Sequence, residues 1–249
     1  MIVNQTMYTA AAQQSEAFFA EETSSISSQE SSSVPAQESS PVLHEEPSPI
    51  ATQESSPAQS KEQQYLAGAF GMLATLLRSV PDTSVLERVA LFAELDVTGD
   101  DLTVAMSMLG LAASSSSQQS VDDEFHDLFI GMGRGELVPY GSWYQTGYLM
   151  ERPLSQLRDD LVALGFQRNP DVHEPEDHVA ALCEVMAMLI LDGADIARQS
   201  HFFETHMSGW LMRFFSDLSE AKSAVFYRSV GRFGMAITAL EQRYLAMPS

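Results

Sequence analysis

The stretch His173-Glu-Pro-Glu-Asp-His178, followed by Val179-Ala-Ala-Leu-Cys-Glu-Val-Met-Ala-Met-Leu-Ile190, decides the fold class. Val179, Leu182, Cys183, Met186, Leu189 and Ile190 recur at steps of three and four, which predicts an apolar stripe along a helix. Pro175 suits a first helical position, where its missing N–H costs nothing. Glu174, Glu176 and Asp177 add negative charge where the helix dipole is positive. The spacing thus predicts a Pro-led acidic helix start, with Asp177 and His178 at the edge of a core.

The same period runs outward in both directions. Tyr65, Ala69, Leu73, Leu76, Leu77 and Val80 form a stripe that stops at Pro81. Asp82 or Thr83 can cap a helix carrying Leu86, Val89, Phe92, Ala93 and Leu95, closed by Gly99. A third helix starts near Asp100 and ends in the serine run 114–117, read as a loop. Ser120 with Asp123 resembles a capping box and opens the next. Pro153 starts a helix whose Leu154, Leu157, Leu161 and Leu164 face inward and which Gly165 stops. Ile196, Phe203, Trp210, Phe214 and Leu218 mark two shorter helices. Phe226, Val230, Phe233, Ile237, Leu240 and Tyr244 alternate steps of four and three, a buried packing seam. No convincing strand appears. The expected fold is all-α, one domain of eight to ten helices over residues 61–249.

Residues 1–60 are a different material. They are rich in Ser, Gln, Glu and Pro, and Gln-Glu-Ser-Ser recurs at Gln29, Gln37 and Gln53. Such a segment buries too little apolar surface to offset chain ordering, so an acidic disordered tail is expected. Its eight Glu residues without a basic residue carry −8 of the net −21, leaving −13 on the remainder. Tyr8 to Glu22 stands apart, because an Ala-rich run followed by Phe18 and Phe19 can form a transient helix.

Charge −21 and a pI near 4.4 argue against nucleic-acid and anionic-membrane partners and favour basic ones. One cysteine, Cys183, excludes an intrachain disulfide and a Cys-rich zinc site, and its place in the apolar stripe reads as a buried, inert thiol. No basic head followed by an apolar run begins the chain, and no stretch of some 18 apolar residues occurs. The expected location is cytoplasmic, with no cofactor and no metal assigned.

Gly131 to Tyr144 packs four glycines, a proline and three aromatics into fourteen residues, which predicts an ordered loop presenting Tyr140, Trp143 and Tyr144. Its glycines lack a preceding strand and the dinucleotide spacing. Ser142 has no evident His-Asp partner. His173, Glu174, Asp177 and His178 crowd together, but a zinc site needs three or four convergent donors. His201 and His206, five apart, splay around their helix.

This loop, the Gly165-terminated helix, Glu174-Pro-Glu-Asp-His178, His206-Met-Ser-Gly-Trp210-Leu-Met-Arg213-Phe and the Phe226-Tyr-Arg228 helix together resemble the TorD/DmsD family. The resemblance covers roughly residues 65–246 and leaves out the tail. It implies a cytoplasmic, all-helical, non-enzymatic chaperone for a molybdenum-cofactor oxidoreductase. Such a protein recognises the client's twin-arginine leader, delays export and assists folding and cofactor insertion. Leader-binding positions carried over are Tyr140, Gly141, Ser142, Trp143, Tyr144, Glu174, Pro175, Asp177, His178 and Trp210. Gly209 departs from the proline that relatives often place before that tryptophan. A homodimer is compatible with the family.

The chemistry agrees with that implication. A basic, apolar leader needs an apolar groove with carboxylates at one end, supplied here by aromatics and methionines and by Glu174, Glu176 and Asp177. Burying four leucine-like side chains is worth roughly 6–12 kcal/mol, against an association cost of about 4–15 kcal/mol. Exposed ion pairs add only about 0.2–1 kcal/mol each, so charge would steer while the groove binds. Two other readings stay open at this point: a metal-dependent hydrolase using His173 to His178, and an adaptor that binds through its acidic tail.

Overall fold

The computed structural model describes residues 60–95, 100–168 and 172–247. The tail at 1–59, its Tyr8–Glu22 segment and the Gly99 stop lie outside the described residues. Ten α-helices follow in order among the described residues: α1 (Lys61–Arg78), α2 (Thr83–Ala90), α3 (Asp101–Ser115), α4 (Gln118–Phe125), α5 (Gly141–Thr146), α6 (Arg152–Ala163), α7 (Val179–Leu191), α8 (Ile196–His206), α9 (Leu211–Glu220) and α10 (Phe226–Leu245). A 3₁₀ turn (Leu91–Glu94) extends α2, and a π-helical turn (His126–Ile130) extends α4. The all-α expectation holds.

Local chemistry explains most boundaries. Asp82, one of the two residues read as a possible cap, accepts the Val85 N–H, and Asp100, near which the third helix is expected to start, caps it by accepting the Thr103 N–H. Gly165 turns the chain out of α6 at φ +85°. The serine run differs from expectation. Ser114 and Ser115 remain helical, and the hydroxyls of Ser114, Ser115 and Ser116 bond the carbonyls of Gly110, Leu111 and Ala112 one turn back. The capping box lies three residues earlier than read, with Ser117 as the cap and Ser120 as its reciprocal partner. Asp123 instead takes the side-chain amide of Gln119.

Helix α7 is the centre. All of Val179 to Ile190 is buried, so the stripe read from the sequence is in fact a helix covered on every side. Helix α1 packs along it, and Arg78 of α1 pairs with the buried Glu184. Helices α9 and α10 form a second tight pair. A Cβ on Gly234 would overlap the Phe215 ring, and one on Gly231 would lie 2.7 Å from the Phe215 carbonyl oxygen. Helix α3 lies across α2 and α10. Glu124 of α4 accepts the N–H groups of Val225, Phe226 and Tyr227 at 2.7, 3.0 and 2.7 Å, capping α10 from another element. The Tyr227 hydroxyl then reaches the Leu76 carbonyl of α1.

Candidate functional site

The decisive local event is a single antiparallel bridge between Tyr140 and His178. Gly141 N–H donates to the Asp177 carbonyl and Val179 N–H to the Pro139 carbonyl, both at 2.9 Å. This pairing corrects the expected helix start. Pro175 does not open α7; its carbonyl accepts the His178 N–H in a turn, and α7 begins at Val179. His178 is the cap, its Nδ1 accepting the Ala180 N–H at 3.2 Å. Burial presses the His178 pKa down to about 4, which keeps the ring neutral and the nitrogen able to accept.

Asp177 caps a helix other than its own. Its Oδ2 accepts the Ser142 N–H at 2.8 Å at the start of α5. That correction extends to the loop, whose last residues, from Gly141, are helical. Ser142 Oγ and Asp177 Oδ1 are buried with no hydrogen-bond partner among the described residues.

The other carboxylates also differ from one another. Glu176 is 6% exposed and is held by the chain's own Arg158 at 2.9 Å and Arg168 at 3.3 Å. Burial works against its charge, but the Arg158 hydrogen bond prevails and keeps the Glu176 carboxyl below its ordinary range. Glu174 is exposed and accepts the Tyr140 hydroxyl. Burial, then that carboxylate, push the Tyr140 phenol well up. Of the three acids expected at a groove mouth, Glu174 alone faces solvent.

Trp210 lies beneath. It is 2% exposed, and its indole N–H donates to the His206 carbonyl at 2.7 Å. The Tyr144 ring centroid is 5.5 Å away, and a Cβ on Gly141 would sit 3.2 Å from Trp210 Nε1. The Tyr140 and His178 rings meet edge to face at 5.1 Å. All ten carried-over positions therefore lie on two paired segments, 140–144 and 174–178, and on Trp210 packed against them. Gly141, Ser142, Asp177, His178 and Trp210 are buried; Tyr140, Trp143, Tyr144 and Pro175 are half-buried.

Sequence reasoning missed several neighbours. Tyr144 donates to Asp217 at 3.0 Å, and the guanidinium of Arg134 stands 4.9 Å from the Trp143 ring centroid. Tyr148, Leu149 and Met150 follow α5 and are exposed. His201 and His206, expected to splay, both face Asp160, with Nε2 at 3.9 and 2.8 Å from its Oδ2. No sequence spacing signals partners of this kind, which come from other parts of the chain. The aromatics and methionines also part company. Met108, Met212 and Met235 line an open groove of about 750 Å³ between α3 and α10 whose walls include none of the ten positions.

Among the described residues no three His, Cys, Asp or Glu side chains converge to hold a metal, and no helix is long and apolar enough to cross a membrane. The polar groups are spent on fixing a partly exposed aromatic surface to a helical core.

Comparison with known proteins narrows the class. Residues 98–216 match the family model described as nitrate reductase delta subunit. The chaperone protein TorD of Vibrio atlanticus is 27% identical over 159 residues, 59% of this chain and 73% of that protein. TorD of Vibrio cholerae is 27% identical over 140 residues, 52% of this chain and 64% of that protein. A crystal structure from Archaeoglobus fulgidus, described as a redox enzyme maturation protein, covers 74% of this chain and 98% of its own at 18% identity and a TM-score of 0.47. The family match thus covers just under half of this chain, and the TorD chaperones are what that part is similar to.

Proposed function

We propose that the chain is a cytoplasmic chaperone that binds the twin-arginine leader of a molybdenum-cofactor oxidoreductase, delaying its export while folding and cofactor insertion proceed. The observation that carries this reading is the pairing of Tyr140 with Glu174 across the bridge. It sets a solvent-facing carboxylate beside the half-buried rings of Trp143 and Tyr144. Glu174 is suited to a leader guanidinium, and the rings to its apolar stretch. Gly141, Ser142, Asp177, His178 and Trp210 then act by position: they hold the two segments and the ring stack in place. Pro175 shapes the turn that presents Glu174.

Calorimetry of the full chain with a twin-arginine leader peptide tests this. Saturable binding is expected, weakened roughly tenfold or more by Trp143→Ala and made less salt-sensitive by Glu174→Gln. Binding untouched by both substitutions sinks the assignment of the surface. Binding lost on removal of residues 1–60 favours the acidic-tail adaptor instead.

A further inference from the structure

Most rings gathered at the site are locked in place. Tyr140 donates its hydroxyl to Glu174 and meets the His178 ring edge to face. Tyr144 donates to Asp217 and packs on Trp210 and Phe214, and the Trp210 indole is held by the His206 carbonyl. Trp143 is different. Among the described residues its side chain makes no hydrogen bond and stacks on no other ring. What stands over it is the guanidinium of Arg134, its Cζ 4.9 Å from the ring centroid.

The Arg134 side chain is committed to nothing else. It is exposed and, among the described residues, forms no ion pair or hydrogen bond. Its backbone, by contrast, is pinned. The Gly131 N–H donates to the His126 carbonyl at 2.7 Å and the Leu137 N–H to the Leu128 carbonyl at 2.8 Å. Between them the Glu136 carboxylate accepts the Lys222 and Ser223 amides at 2.7 and 3.1 Å. Gly131 has φ +57°, and a Cβ there would lie 2.3 Å from the Arg134 carbonyl oxygen, so the turn closes tightly on the arginine. Uncovering the ring therefore takes a side-chain rotation and no opening of the loop. An exposed cation–π contact favours the covered arrangement by only roughly two- to fivefold.

The exchange itself selects what can take the ring. An incoming guanidinium replaces one cation on the ring by another and gains nothing. An incoming apolar side chain removes apolar surface from water, which outweighs so weak a contact.

We propose that Arg134 is a displaceable cover on Trp143 that yields the ring to an apolar side chain of the leader and leaves the leader's arginines to Glu174. This deepens the leader-binding reading and rests on it for the occupant. Two measurements on the full chain test it. Acrylamide quenching of tryptophan fluorescence reads the cover without any leader. The chain has two tryptophans and Trp210 is buried, so Trp143 dominates the quenching. Arg134→Ala should raise the quenching constant about twofold, since a contact of this strength covers the ring most of the time. Acrylamide is neutral, so the lost charge does not itself alter access.

Calorimetry with a twin-arginine leader peptide reads the exchange. Arg134→Ala should tighten binding roughly two- to fivefold, and the same substitution placed on Trp143→Ala should leave affinity where Trp143→Ala put it. An unchanged quenching constant overturns the proposal, as does leader affinity that Arg134→Ala leaves alone or weakens. Tightening that persists on Trp143→Ala also overturns it, because the lost charge then acts on the basic leader at a distance. A leader that binds no variant, with quenching raised as expected, overturns the functional reading and the leader as occupant while the cover itself stands.

Discussion

The carboxylate of Asp177 accepts the Ser142 N–H at 2.8 Å, so a residue just before α7 caps α5, thirty-five positions earlier in the chain. Both groups are buried. Asp177→Ala removes the acceptor and strands a buried donor, which should cost about 1–3 kcal/mol and speed exchange at the Ser142 amide. Asp177→Asn keeps an acceptor oxygen in place and should recover most of the loss. Thermal unfolding and amide exchange of the two variants check this. Equal destabilisation by both would show that the bond does not hold α5.

Two glycines should respond in opposite ways. Gly234→Ala drives a methyl into the Phe215 ring, which is fully buried and packed against Phe214. The expected cost is about 1–3 kcal/mol, or more if the α9–α10 pair must separate. Gly209→Ala meets nothing within 4 Å, and Gly209 is not among the glycines with positive φ. That change should stay within about 0.5 kcal/mol. Urea midpoints of the two variants are a direct measure.

His178 ties stability to pH. Its folded pKa is about 4 against an ordinary 6.5, so the unfolded chain takes up the proton first as pH falls. The contribution is complete above the unfolded value and is lost as pH falls from about 6.5 toward 4. It amounts to about 3 kcal/mol in all, with about 2 kcal/mol gone by pH 5. His178→Asn retains a capping acceptor and should flatten this slope. An unchanged slope in urea titrations at pH 7 and pH 5 would contradict the assignment.

Glu241 works in the other direction. It is fully buried in α10, neither carboxyl oxygen has a hydrogen-bond partner among the described residues, and burial pushes its pKa up to about 7. Between the unfolded value of 4.5 and pH 7 the unfolded chain releases the proton and the folded one keeps it. Stability therefore falls as pH rises, by about 3 kcal/mol across the interval. Glu241→Gln should stabilise the protein at pH 8 and do little at pH 4.5. A gain of the same size at both values would mean that the carboxyl does not titrate as argued.

Legibility followed the range of the interaction. Asp82 and Asp100 were readable because a cap and its amide lie three residues apart. Ser117 was misplaced because Ser116, Ser117 and Ser120 offer the same local chemistry, and the choice falls to where α3 ends. The start of α7 was misread for a longer-range reason: Pro139 and Gly141 compete for the backbone of 177–179, and nothing near Pro175 announces them. The ten carried-over residues were found through the resemblance. The division between those that face water and those that brace the core depended on partners distant in sequence, as when Asp177 takes the Ser142 amide and Trp210 packs on Gly141 and Tyr144.

The exposed run Tyr148-Leu149-Met150 lies between parts of the chain that are interlocked elsewhere. Helix α1 is seated on α7, α3 on α10, and Glu124 grips the amides at 225–227. Each of those attachments joins a residue before Tyr148 to one after it. A protease nick at this run therefore severs the backbone without dividing the core, and the two fragments should migrate as one particle until denaturant parts them.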